Sequence, residues 1–358
     1  MKPKVLIMQT GGTISQERGE DGTYSPSPKP IKEMIRKINS LEDLAEITIE
    51  ELFNIDSTNM ETSHRAKLAE KIYENYQEYD GFVILHGTDT LADSAAAINY
   101  MLQGSGKPIV FTGSQKPIFE PASDAPNNVY NAVKIATLDV GEMVIAFGNK
   151  IIRGVRAVKE SEHGLNAFSS PRIEPLGEIG REIFLKDHII PRHEGKLALF
   201  TDFDTRIEHY QQSSGAVTNV FENLVEDEEI HGIIINAYGA GNVQERLVPI
   251  IARATVRIEK PVLVVTNCKL GAANNTYWAG FSPLVAGAIS AGDMTLEAAT
   301  QKLMYALGIS NKRGYQRRER LDFVKEIIHT NYNGDIKIDP ARYIKRQGGA
   351  NGIQTSIS

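Results

Sequence analysis

The 358-residue chain holds a single cysteine, Cys268. No disulfide can close within it, and no cysteine-rich metal site can be assembled. Its eight histidines form no H-x-x-x-H pair, so the usual zinc-hydrolase signature is missing. Positive charge is in deficit, with a formal net charge of -6. Such a chain lacks the basic field that nucleic-acid phosphates demand. The one basic run, Lys312, Arg313, Arg317, Arg318 and Arg320, is interrupted by Glu319 and Asp322. It reads as a solvated helix face rather than a polyanion contact. No apolar run reaches the ~20 residues that a membrane span needs. The apolar stretch near the N-terminus covers only 5–8, too short for a secretory core, so a cytoplasmic protein is expected. No internal repeat of fixed period is present.

What is present is ordinary globular material, 41% hydrophobic and 23% charged. The length favours two domains. Apolar runs at 5–8, 47–53, 81–85, 109–112 and 143–147 read as strands. Helical patterns at 63–79, with Ser63 as N-cap, and at 91–102 and 128–138 lie between them. The runs are continuous rather than alternating, as parallel strands buried on both faces require. The expected fold is α/β: a larger N-terminal domain with a mostly parallel sheet and helices on both faces, then a smaller parallel α/β domain. The N-terminal domain is expected over 1–190, a linker over 191–212, the second domain over 213–332 and a loosely ordered tail over 333–358. After a break around 191–194 the pattern restarts, with strands expected at 196–201, 232–236 and 262–266. Helices are expected at 215–224, 244–257 and 295–307, the middle one disturbed by Pro249.

In open parallel sheets, ligands sit beyond the carboxyl ends of the strands. Polar residues collect there. Thr10-Gly-Gly-Thr13 follows the first strand and Asp56, Ser57, Thr58 and Asn59 the second. His86-Gly-Thr88-Asp89-Thr90 follows the third, and a G-S-Q-K-P run with Ser114 the fourth. Lys159 comes after the fifth. Each alone has a plain structural explanation. Thr13 suits a turn, Asp89 suits an N-cap, Ser57 and Thr58 suit a loop, Lys159 suits a surface and His86 suits a packed strand end. The functional argument is their coincidence at one sheet edge. The segment 10–30, with Gly19 and Gly22 before Tyr24 and three prolines after it, is long and polar. That composition suits a hinged flap.

The turn TGGTIS matches neither the Walker loop nor the dinucleotide fingerprint. Its glycine pair permits close backbone approach to a ligand, and Thr13 supplies a hydroxyl beside it. A hydroxyl nucleophile, a neighbouring base and backbone donors for an oxyanion are the parts of acyl transfer.

TGGTIS (10–15) and HGTDTLADSA (86–95) resemble the two signature motifs of the bacterial-type L-asparaginase family. SDAPNNVYNAV (123–133), GAGN (239–242) and the Y-x-x-G element at 277–280 extend the likeness over roughly 4–310. The absent secretion signal and VTNCKLG around Cys268 are most similar to the cytoplasmic type I branch.

The resemblance implies a two-domain α/β fold that hydrolyses L-asparagine, with L-glutamine as the alternative amide, and with no metal or cofactor. It implies a homodimer or homotetramer with sites at subunit interfaces. Thr13 matches the nucleophile and Tyr24 the flap tyrosine. Thr88, Asp89 and Lys159 match the second catalytic group. Ser57, Thr58 and Asp89 match the loops that bind the substrate's α-carboxylate and α-ammonium. Ser114 matches a backbone contact to the side-chain amide, and Asn242 a contribution from a partner chain. Some relatives use the Cys268 region as an allosteric pocket. One departure is that GAANNT (271–276) lacks the acidic residue that secreted members lend to a neighbour. The identity of the general base stays open, because tyrosine and lysine both ordinarily titrate near ~10. Two rivals are carried: an amidotransferase subunit, which has an extra module ahead of the Gly-Gly-Thr strand, and a non-catalytic amino-acid sensor.

Overall fold

Five runs become the parallel heart of the first sheet, four of them buried. The remaining one, at the sheet edge, is interrupted by Thr48, Glu50 and Glu51 and is mostly half-buried, contrary to the expected continuous pattern. The computed structural model describes residues 2–27, 31–36, 38–273 and 277–337. The chain divides into two units, Met1–Thr201 and Asp202–Ser358.

In the first unit, Lys4–Gly11, Glu46–Ile55, Gly81–Leu85, Ile109–Thr112 and Met143–Phe147 run parallel. Their order across the sheet is second, first, third, fourth, fifth. Beyond the fifth strand, Lys150–Arg153, Gly177–Ile179 and Ile183–Leu185 extend the sheet antiparallel. Val5, Ile7, Val83, Leu85, Val110 and Val144 pack on one face against Val129, Ala132 and Val133 of the helix Ala125–Ala136. On the other face Phe82 stacks on Tyr76, at the end of the helix Thr62–Asn75, with ring centroids 6.1 Å apart. The helix Leu91–Met101 is buried at ten of its eleven positions, which explains its run of small alanines. A 2-1-3-4-5 order sends the connections from the first and third strands to opposite faces. It opens a crevice between their carboxyl ends. Thr13 and Thr88 follow those two strands, which pair Gln9 with Leu85.

Some boundaries differ from expectation. Thr62–Asn75 starts after Glu61, not Ser63, and His64 Nδ1 accepts the Glu61 N–H at 3.1 Å. The segment after Thr13 is not structureless: Gln16–Arg18 and Tyr24–Pro26 form a two-stranded antiparallel hairpin. Its turn is closed by Asp21, which accepts from Thr23 N at 3.0 Å and Thr23 Oγ1 at 2.7 Å. Pro28 and Pro30 lie outside the described residues.

The second unit holds a parallel sheet of Ile207–Gln211, Gly232–Ala237, Val262–Thr266 and Ile289–Ser290, in chain order. Ile233, Ile235, Val262 and Val264 pack with Phe221, Leu247 and Ile251. The linker expected over 191–212 is therefore too long. The units divide between Thr201 and Asp202, and 207–211 is a strand. Only Ile207 and Tyr210 of that edge strand are buried, which left little apolar signal. The strand expected over 196–201 shrinks to Ala198–Leu199, which pairs with Leu102–Gln103 inside the first unit. The helix expected over 244–257 is three pieces: a 3-10 turn Glu245–Leu247, an α-helix Val248–Ala252 and a π-helical segment Arg253–Ile258. Pro249 sits in the α-helix's first turn, where its missing N–H costs nothing.

Residues 333–337, expected in the loosely ordered tail, are instead held in place. Asp335 is fully buried against Lys302 of the helix Leu296–Lys312, with Nζ to Oδ2 at 2.7 Å. Lys302 Nζ also reaches Thr330 O at 2.6 Å. Residues 338–358 lie outside the described residues. Among the described residues, no helix is long and apolar enough to cross a membrane.

Candidate active site

The first strand ends in two glycines with positive φ, 107° at Gly11 and 87° at Gly12. A Cβ at Gly11 would lie 2.2 Å from Ile55 O, and one at Gly12 would lie 2.1 Å from Gly87 Cα. Side-chain carbon cannot fit at either position. The Gly11–Gly12 turn thus lies backbone to backbone against the His86–Thr90 turn. Gly12 N donates to Ile55 O at 3.0 Å, tying in the second strand as well. Thr13 opens a short 3-10 turn, Thr13–Ser15. It is half-buried, and its hydroxyl has no partner among the described residues. Ser15 Oγ donates toward Gly12 O and Asn54 Oδ1, each at 3.0 Å, and fixes the turn from behind.

The second strand hands over to Ser57–Asn59, another 3-10 turn, capped by Asp56. Ser57 is buried. Its Oγ accepts the Asp89 N–H at 3.3 Å, and its carbonyl accepts from Thr90 Oγ1 at 2.8 Å. A Cβ at Gly87 would lie 2.5 Å from Ser57 Oγ, so this glycine is also obligatory. Asp56 Oδ1 accepts from Thr58 N at 2.9 Å and Thr58 Oγ1 at 2.6 Å, and Oδ2 from Gln16 Nε2 at 3.4 Å. The Thr58 bonds, above all that from its hydroxyl, hold the Asp56 carboxyl below its ordinary range.

Lys159 arrives from a separate two-stranded ribbon, Val158–Lys159 with Phe168–Ser169. Its Nζ lies 2.9 Å from Thr88 Oγ1 and 2.5 Å from Asp89 Oδ1. Thr88 is buried, whereas the Asp89 side chain is 58% exposed and so open to a ligand. Beneath them His86 is wholly buried. Its Nδ1 lies 2.7 Å from Gly87 O, so that nitrogen carries the proton. Burial pushes the imidazole down to about 4, against this hydrogen bond, so it is neutral near pH 7. It is packing and support for the turn, not a base at the crevice.

Ser114 follows the fourth strand and is buried, with Oγ donating to Lys116 O at 2.5 Å. The loop is clamped by Asp124, which accepts from Gln115 N at 2.9 Å and Lys116 N at 3.0 Å. Asn128 Nδ2 holds Gly113 O at 2.9 Å. These bonds are what the S-D-A-P-N-N run contributes. Gln115 Nε2 in turn grips Glu162 O at 2.9 Å and Gly164 O at 3.1 Å, beyond Lys159. Tyr24 stands on the hairpin, exposed, with its hydroxyl donating to Glu120 Oε1 at 2.8 Å rather than to Thr13. That bond raises the phenol above its ordinary range.

The first unit matches the family model "Asparaginase, N-terminal" over residues 4–191, and the second matches "Glutaminase/Asparaginase C-terminal domain" over 206–318. The chain is 34% identical to an L-asparaginase of Thermococcus kodakarensis over 340 residues, covering 93% of this chain and 99% of that one. It belongs to the asparaginase family. A solved L-asparaginase I from Vibrio cholerae superposes with a TM-score of 0.83 at 28% identity, covering 94% of this chain and all of that one. A glutamyl-tRNA(Gln) amidotransferase polypeptide of Pyrococcus horikoshii is 30% identical, over 93% of this chain and 77% of that protein.

Within this first unit, Thr13, Ser57, Thr58, Thr88 and Asp89 come from one connected set of turns, and Lys159 reaches them from its separate ribbon. Ser114 lies on the adjoining strand end. Asn242 belongs to the second unit, where its backbone N–H bonds to Tyr238 O at 2.7 Å. Its buried Oδ1 has no partner among the described residues. Cys268 is exposed, and its N–H donates to Thr266 Oγ1 at 3.1 Å. Residues 274–276 of the GAANNT segment lie outside the described residues. Asp56, Gln16 and Glu120 carry no role in the sequence reading. An Asp-x-Thr at the head of a turn is the local signal that finds Asp56, because such aspartates bond the backbone two residues on. Glu120 has no comparable signal.

Proposed function

We propose that this chain hydrolyses L-asparagine to L-aspartate and ammonia, with Thr13 as nucleophile. The observation that carries the reading is the backbone contact between Gly12 and Gly87, which leaves Thr13 and the Thr88–Asp89–Lys159 group at one strand-end crevice. Thr13 Oγ attacks the side-chain amide carbon as its proton passes into the Tyr24 or Thr88–Lys159 system. The oxyanion forms against backbone N–H groups, that of Thr88 foremost. The C–N bond breaks, the amine takes up a proton and leaves as ammonia. Water then cleaves the Thr13 ester, releasing aspartate. Asp89 offers a carboxylate to the α-ammonium and Ser57 a hydroxyl to the α-carboxylate. A second route uses the same pocket with Thr88 activating water directly and no ester.

A coupled ammonia assay with asparagine and glutamine, on wild type and Thr13→Ala, tests the reading. Ammonia from free asparagine that is abolished in Thr13→Ala supports it. Asparagine binding without ammonia release favours the sensor. Activity that needs a partner protein and tRNA favours the amidotransferase. Mass spectrometry of acid-quenched enzyme separates the two routes, since only the first leaves an adduct on Thr13. We further propose a homodimer or homotetramer, to which Asn242 contributes across subunits, working in the cytoplasm. One exposed cysteine suits that reducing compartment.

A further inference from the structure

Gln115 spends both protons of its side-chain amide on one loop. Its Nε2 donates to Glu162 O at 2.9 Å and to Gly164 O at 3.1 Å. The loop belongs to the ribbon that carries Lys159. That ribbon is only two residue pairs long, Val158 with Ser169 and Lys159 with Phe168. So short a ribbon has too few ladder bonds to stand unsupported. Its second strand is anchored, with the Phe168 ring centroid 5.0 Å from that of Phe147. Its connecting loop is not: none of residues 160–166 is buried, so apolar burial does little to hold them. Asn166 Oδ1 accepts from Asn149 N at 3.0 Å on the Phe168 side of the loop. Gln115 grips the side nearer Lys159. It is itself fixed, because it follows Ser114 at the end of the fourth strand and its backbone N–H donates to Asp124 Oδ2 at 2.9 Å. Two divergent donors for two carbonyls are what a glutamine amide supplies. A glutamate of the same length would set acceptors against acceptors.

We propose that Gln115 is a positioning residue: it ties the end of the fourth strand to the Lys159 ribbon and so holds the lysine within reach of Thr88. The inference rests on the asparagine-hydrolysis reading and deepens it. Lys159 Nζ has to meet two groups of one turn at once, Thr88 Oγ1 at 2.9 Å and Asp89 Oδ1 at 2.5 Å. A flexible four-carbon side chain does so reproducibly only when the backbone behind it is fixed. Asp89 holds the charged tip, but a pair so open to water contributes little to fixing that backbone. The fourth strand pairs directly with the third, Thr112 beside Leu85. The grip of Gln115 therefore refers the lysine to the same sheet that carries Thr88.

The test is a double-mutant cycle between Gln115 and Lys159. Gln115→Met keeps the size and removes both donors, and Gln115→Glu reverses the polarity. Each should lower kcat for asparagine by about 10- to 100-fold with KM within about 3-fold, as a small misplacement of a reacting group implies. In a Lys159→Met background, Gln115→Met should cost less than about 2-fold more, because residues that act through one another are not additive. Losses that multiply would mean that Gln115 serves the strand end or the fold instead, and would overturn the proposal. So would undiminished turnover in both variants. Gln115→Asn keeps the amide but is one methylene too short. It should show the same non-additivity, and is the variant to read if the other two do not fold. Trace acetylation with acetic anhydride, mapped by peptide mass spectrometry, reads the lysine without turnover. Lys159 should react about 3-fold faster or more in Gln115→Met, since an amine released from its carboxylate is more often neutral. An unchanged rate overturns the proposal. Wild type that releases no ammonia but shows this rise defeats the hydrolase reading and leaves the positioning role standing.

Discussion

Lys159 Nζ sits 2.9 Å from Thr88 Oγ1, although 71 residues separate the two in the chain. The lysine is fixed in place by Asp89 on its other side, so its position depends on the turn it serves.

Replacing that lysine should be felt in the chemical step. Lys159→Met should lower kcat for asparagine by about 10²–10⁴, the usual range for a proton-transfer group, with a much smaller change in KM. Steady-state kinetics check this. Melting temperature should move little, because the Asp89 carboxylate left behind is largely in water.

Gly12→Ala should damage both fold and activity. The new methyl would meet the Gly87 backbone at 2.1 Å, in a left-handed conformation that alanine resists. Urea unfolding should show a loss of about 2 kcal/mol or more, with turnover abolished even where the protein stays folded. Unchanged stability would mean that the two turns are not in contact.

The flap tyrosine should report on its tether. Glu120→Ala removes the bond that raises the Tyr24 phenol, so its titration should move down toward the ordinary value near ~10. Ultraviolet difference titration, with Tyr24→Phe as the reference, assigns the signal. In the same variant the hairpin loses its anchor, and its backbone amides should exchange faster.

His86 should shape the acid limb of stability. Its imidazole is depressed to about 4 in the folded chain and titrates near ~6.5 when unfolded. The unfolded chain therefore binds the proton first. Stability from this group is complete above pH ~6.5 and is lost as pH falls toward ~4. Between pH ~7 and ~4.5 the loss is about 2 kcal/mol. In His86→Gln that portion of the pH dependence should vanish from denaturant melts, whatever the variant's stability at neutral pH.

The parts of this molecule that a sequence reveals are those governed by local rules. Continuous apolar runs mark four of the five parallel strands, because a strand buried on both faces leaves little room for polar positions; the edge strand Glu46–Ile55, with Thr48, Glu50 and Glu51, departs from that expectation. The Gly-Gly-Thr and Gly-Thr-Asp turns are legible because backbone crowding admits only glycine there. Ile207–Gln211 is hidden, since an edge strand with two buried residues carries too little apolar signal. The three-part stretch over 245–258 is hidden for another reason. Thr255 Oγ1 donates toward Ile251 O and Ala286 O, and the second of these partners lies 31 residues away, where no local periodicity can announce it. The Tyr24–Glu120 bond spans 96 residues and leaves no pattern at either end.

The Lys302–Asp335 pair has a practical side. Both charges are shut away from water, so neither tolerates the loss of its counterpart. A polypeptide shortened to end before Asp335 would keep the lysine inside with no anion to meet it. Trimming that looks harmless at the polar end of the sequence would then yield an insoluble or unfolded product, whereas a stop placed after Lys337 keeps the ion pair whole.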